Sequence, residues 1–107
     1  MAKTTPTQRS LAILKPVHPL VQVVEKWNPH ARIRQDLFGI IDILCISAEG
    51  ETIAVQTTSG SGVAARITKM TDSPALQHLR KAGWRIIVHG WRKNAAGRWT
   101  LREVDLS

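Results

Sequence analysis

Between Asp36 and Ile46 the chain reads Asp-Leu-Phe-Gly-Ile-Ile-Asp-Ile-Leu-Cys-Ile, and Asp42 is the one carboxylate set inside this apolar run. An ionised carboxylate is costly to bury unless it is hydrogen-bonded, paired with a cation or bound to a metal. Asp42 therefore needs a partner: an arginine, solvent at an open strand end, or a hard divalent cation such as Mg2+ or Mn2+, which takes oxygen ligands. Ala48-Glu49-Gly50 reads as the turn of a hairpin whose second arm is Thr52 to Thr58, with Ser47 opposite Glu51. Counting back from that pair puts Asp42 opposite Gln56, with Cβ atoms about 4.5–5.5 Å apart. The period of two then groups Asp42, Gln56 and Thr58 on one face. The Gln56 amide oxygen, with the Val55 or Thr57 carbonyl, would extend an oxygen ligand set begun by Asp42. Asp36, at the start of the same predicted strand, reads as a strand-end carboxylate or a partner for Arg34, with a ligand role as the rival reading.

The elements around these residues follow from local signals. Thr5 or Thr7 can cap a helix over 6–15 that carries Leu11, Ile13 and Leu14 and stops at Pro16. Leu20 to Trp27 is β-branched and bounded by Asn28-Pro29, which predicts a strand with Glu25 near its end. The run 36–46 predicts a second strand, covered on both faces, and 52–58 a third. Ser59-Gly60-Ser61-Gly62 leads into a helix over 63–70 bearing Arg66 and Lys69, and Ser73-Pro74 opens another that Gly83 ends. Trp84 to Trp91 and Arg98 to Val104 form a last strand pair. The order α-β-β-β-α-α-β-β predicts an α/β domain, a mixed β-sheet flanked by helices. With 107 residues and no composition shift, residues 1–107 read as a single domain.

Fifteen Lys and Arg against eight Asp and Glu give a net charge of +7. Such an excess points to a polyanionic partner, because neutralising phosphates releases counterions. No apolar stretch approaches the ~20 residues that cross a bilayer, so no membrane partner is expected, and Met1 to Arg9 lacks the pattern of a secretory leader. The lone Cys45 reads as a buried small hydrophobe, which fits a cytoplasmic setting. His18, His30, His78 and His89 have no zinc spacing, and the Ser-Gly-Ser-Gly loop lacks the Gly-Lys-Thr ending of a nucleotide loop.

Gly39-Ile40-Ile41-Asp42, a hairpin, and then Gln56-Thr57-Thr58 at the end of the next strand resemble the PD-(D/E)XK nuclease superfamily, which includes restriction enzymes, Holliday junction resolvases and small virus-type nucleases. The resemblance covers the element order from the first helix to Trp91. It implies a restriction-endonuclease-like fold and metal binding by Asp42 and Gln56, with Glu25 as the additional acid that some members carry. It also suggests a homodimer. The chain departs from the pattern at Thr58, which stands where the family has its lysine and carries no charge. Some members place that lysine on the following helix, which assigns the role to Lys69, or to Arg66 one turn earlier.

The function so implied is a Mg2+- or Mn2+-dependent DNA endonuclease acting on duplex or branched substrates, with catalytic Asp42, Gln56, Lys69 and Glu25. Arg66, Lys69, Arg34, Trp91, Arg92 and Lys93 are the expected nucleic-acid contacts, with Trp91-Arg92-Lys93 combining a stacking ring with two cations. Trp27 is kept with Trp91 as a surface residue, and Trp84 and Trp99 are assigned to packing. Two other readings are a nucleic-acid-binding module that has lost cleavage and a phage-encoded regulator that binds an acidic protein.

Overall fold

The computed structural model describes residues 4–107; the opening Met1 to Lys3, read above as part of the leader test, lies outside them. Helix α1 spans Pro6–Leu14. Thr5 caps it: the Thr5 hydroxyl accepts from the Gln8 N–H, and the Gln8 side chain accepts from the Thr5 N–H. The strands are β1 (Leu20–Val23), β2 (Lys26–Asn28), β3 (Ile33–Gln35), β4 (Ile43–Ile46), β5 (Thr52–Ser59), β6 (Arg85–Lys93) and β7 (Trp99–Asp105). Between β5 and β6 lie a 3-10 turn (Gly60–Gly62), α2 (Val63–Asp72) and α3 (Pro74–Lys81), the last capped by Ser73.

The main sheet has the order β1-β4-β5-β6-β7. Only β5 and β6 run parallel, because α2 and α3 return the chain between them; the other neighbours are antiparallel. The two sheet faces bury separate cores. Leu14 and Leu11 of α1 pack on Ile43, Cys45, Ile53 and Val55. On the other face Val63, Met70, Leu76 and Leu79 of α2 and α3 cover Ala54, Ile86 and Val88. Gly90 lets α2 approach β6, since a Cβ there would collide with Val63. No helix among the described residues is long and apolar enough to cross a membrane.

The fold is the expected mixed α/β, with two corrections in the first half of the chain. The segment predicted as a strand over 20–27 is two strands, β1 and β2, and β2 pairs with β3 in a separate two-stranded ribbon. The segment 36–46 is not one strand. Residues 36–42 fold back through a Leu37–Ile41 bridge, with Phe38 and Gly39 at positive φ (54° and 76°), and only Ile43–Ile46 is strand. Glycine adopts that backbone without strain, and the reversal lets Ile40 and Ile41 bury in the α2–α3 core while Phe38 is left exposed. An apolar run can thus belong to a tight turn when its side chains fill a core from one side.

Two tryptophans exchange their expected places. Trp91 is buried, and its indole N–H donates to the Ser10 hydroxyl at 2.8 Å. Trp99 on the edge strand is exposed, with the Arg9 guanidinium 3.5 Å from its ring centroid and Lys93 Nζ at 5.2 Å. Ser10 Oγ also lies 2.8 Å from His89 Nδ1, and His89 Nε2 faces Glu103 at 3.5 Å. Burial lowers the His89 pKa, against the pull of Glu103. The neutral ring therefore carries its proton on Nε2, toward the carboxylate, and the Ser10 hydroxyl donates to Nδ1. One serine thus satisfies two buried groups and fastens α1 to β6. Ser10→Ala leaves both unpaired and should cost about 2 kcal/mol, read as a lower urea midpoint with unchanged slope; a loss below ~0.5 kcal/mol, the range of ordinary surface substitutions, would contradict this role for the network.

Candidate metal centre

Asp42 sits where three strands meet. Its backbone N–H donates to the Val55 carbonyl of β5 at 2.9 Å, and its carbonyl accepts from Val24 N–H, just past β1, at 2.8 Å. The β4–β5 register ends with Ile43 opposite Val55, and the Asp42 N–H donates to that same Val55 carbonyl, so the expected pairing of Asp42 with Gln56 gives way to a bulge in which Asp42 and Ile43 both oppose Val55. The carboxylate is not left to share Gln56's face. Asp42 Oδ2 accepts from the Thr57 N–H at 2.8 Å and from the Thr57 hydroxyl at 3.1 Å, and Thr57 Oγ1 is in turn 2.8 Å from Thr7 Oγ1 of α1. Helix and sheet thus aim the carboxylate together.

Two further carboxylates come to the same place. Glu25 follows β1, Asp36 follows β3, and one oxygen from each lies within 4.8 Å of the others and of an Asp42 oxygen. Sequence reasoning undervalued Asp36 because it treated 36–46 as one extended strand; the turn at Phe38-Gly39 carries Asp36 back over the sheet end. Positive φ at glycine was the available signal. The expected ion pairs are also redistributed. Arg34 bridges to Glu25 at 3.0 Å and not to Asp36, whereas Asp36 lies 3.8 Å from Lys69 Nζ of α2. Asp42 has no cationic partner among the described residues.

The electrostatics reflect that imbalance. Burial pushes the Asp42 pKa up to about 7; the Thr57 N–H opposes this, while Asp36, close enough to hydrogen-bond with a protonated Asp42, and the charge of Glu25 add to it. Across the hairpin, Gln56 is 1% exposed and its Oε1 is buried with no hydrogen-bond partner. By the alternation of β5 its side chain faces the α2–α3 side with Ala54, away from Thr57, which holds Asp42. Octahedral Mg2+ or Mn2+ with oxygens at about 2.1 Å spans at most about 4.2 Å between two of its ligands, and the three carboxylates lie within 4.8 Å of one another. The cluster Glu25, Asp36 and Asp42 could therefore hold a metal ion, and the expected ligand Gln56 is not one of its members.

These groups line an open cleft of about 740 Å³ between the start of α1 and α2. Arg34, Arg66 and Lys69 line it, and Thr58 is buried in its wall. Arg92 and Lys93 lie outside it, on the exposed end of β6, and the buried Trp91 offers no free stacking face. Comparison of the chain with protein-family models, curated proteins and solved structures gives no match.

A raised carboxylate pKa means that the fold prefers protonated Asp42. Its contribution to the metal-free protein is complete below about pH 4 and is lost as pH rises through about 7. Asp42→Asn mimics the protonated form, so in EDTA its stability relative to wild type should improve between pH 5 and pH 8 by an amount on the order of a few kcal/mol. Urea unfolding at the two pH values measures this; a difference that does not change with pH would contradict the assignment.

Proposed function

We propose that the protein is a divalent-metal-dependent phosphodiesterase that cuts DNA, using the cleft at the end of β4 and β5. The observation that carries this reading is the convergence of three carboxylates at one end of the sheet, with Arg34, Arg66 and Lys69 on the walls of the same cleft. Oxygen donors of this kind suit Mg2+ or Mn2+. Glu25, Asp36 and Asp42 would hold the ion, which when bound polarises a phosphoryl oxygen and lowers the pKa of water.

The protein's own groups have separate tasks. Arg66 contacts a phosphate oxygen from the α2 side, and Lys69, within 3.8 Å of Asp36, stabilises the charge that grows on the phosphoryl oxygens as water adds and the sugar oxygen leaves. Thr57 and Thr7 keep the Asp42 carboxylate aimed. The lysine that Thr58 lacks is supplied in this account from the following helix, as in the resemblance noted above. The net charge of +7 provides sequence-independent attraction for the substrate.

A second reading, binding without cleavage, rests on Thr58 and on the ion pair that occupies Lys69. Incubation of labelled duplex, single-stranded and branched DNA with Mn2+, Mg2+ or EDTA separates the two. The nuclease reading expects metal-dependent cutting that Asp42→Asn abolishes and that Lys69→Ala lowers by about 100-fold or more, the scale of losing one charge-stabilising donor. Salt-sensitive binding with no cutting in any metal would favour the binding module.

A further inference from the structure

The ribbon formed by β2 and β3 lies outside both cores. Its register pairs Lys26 with Gln35, Trp27 with Arg34 and Asn28 with Ile33, and it forms a sheet of its own. Its turn is built by Asn28, whose Oδ1 accepts from the N–H groups of His30 and Ala31 at 3.0 and 3.1 Å. Residues 26–35 include Lys26, Arg32, Arg34 and His30 and no acidic residue, whereas the residues that frame them, Glu25 and Asp36, are two members of the carboxylate cluster.

Trp27 is 53% exposed, an unusual position for the largest apolar side chain. Opposite residues in a ribbon share a face, so Trp27 lies on the side of Arg34, whose guanidinium reaches Glu25 and lines the cleft. An exposed indole among cations, immediately beside a candidate phosphate-cutting cleft, matches the aromatic-plus-basic surface that holds unpaired nucleotides: the cations track phosphates and the ring stacks on a base. An intact duplex keeps its bases stacked inside and has none to offer.

We infer that Trp27 is a base-stacking residue, and that the ribbon selects nucleic acid with an unpaired nucleotide next to the cleft, such as a forked or flapped DNA. This rests on the nuclease reading and gives it a substrate class. Lys26 and Arg32 contact the phosphates of the same strand, and Arg34 links the ribbon to Glu25.

The test is fluorescence anisotropy in EDTA with two labelled DNAs of the same sequence, one a blunt duplex and one with unpaired arms, using wild type, Trp27→Ala and Trp27→Phe. Wild type should prefer the forked DNA. Trp27→Ala should bind that DNA about tenfold more weakly, and Trp27→Phe should keep most of the affinity, because any aromatic face can stack. Blunt-duplex affinity should stay within about twofold of wild type in both variants, since phosphate contacts carry it. Equal affinity of Trp27→Ala and wild type for the forked DNA, or an equal loss on both DNAs, would overturn the inference and leave the nuclease reading standing. Absence of binding to either DNA by wild type would overturn both.

Discussion

The arrangement depends on one carboxylate held in low-dielectric surroundings at the end of a sheet. Asp42 is 3% exposed, its backbone is clamped by Val55 and by Val24, and its side chain is fastened by Thr57. A group so placed cannot retreat to solvent. Its charge must be answered locally by a proton or by a cation. Glu25 and Asp36 are each met by a basic side chain, but among the described residues Asp42 is not, so the cluster keeps an excess of negative charge in its most buried member. A divalent cation answers that excess.

The rest of the architecture can be understood as support for that end of the sheet. One face is closed by α1, whose attachment runs through Ser10 to His89 and Trp91 and through Thr7 to Thr57. The other is closed by α2 and α3, whose apolar residues cover Ala54, Ile86 and Val88 while Arg66 and Lys69 extend from α2 to the cleft. Both helical layers leave the sheet end open between them. The turn at residues 36–42 uses its apolar side chains as an anchor in the α2–α3 core, which is what brings Asp36 within reach of Asp42.

Much of this was legible in the sequence where local chemistry decides the outcome. Thr5 and Ser73 mark helix starts, and Ser47 to Glu51 sets a hairpin register that holds as far as Ile43 and Val55, where a bulge at Asp42 ends it. What was not legible depends on long-range packing. The apolar residues from Leu37 to Ile41 have the composition of a buried strand, and only their docking on the α2–α3 core shows that they reverse direction. Trp91 and Trp99 occupy similar strand positions, yet Trp91 finds a partner in Ser10, 81 residues away in sequence, and Trp99 lies on an edge strand with only cations beside it. Pairings at such separation leave no local pattern. The metal candidates divide the same way: Asp42 was conspicuous as a charge in an apolar run, whereas Asp36 becomes a neighbour only through the fold.

The most direct test of the central claim is the electron paramagnetic resonance of Mn2+ titrated into wild type and into Asp36→Asn, a variant that removes one ligand and leaves the Thr57 donors of Asp42 in place. The account predicts that wild type binds one ion and that Asp36→Asn binds it at least about tenfold more weakly, with free Mn2+ signal appearing at lower total metal. Equal binding by the two proteins, or no binding by wild type, would contradict a metal centre built from Glu25, Asp36 and Asp42.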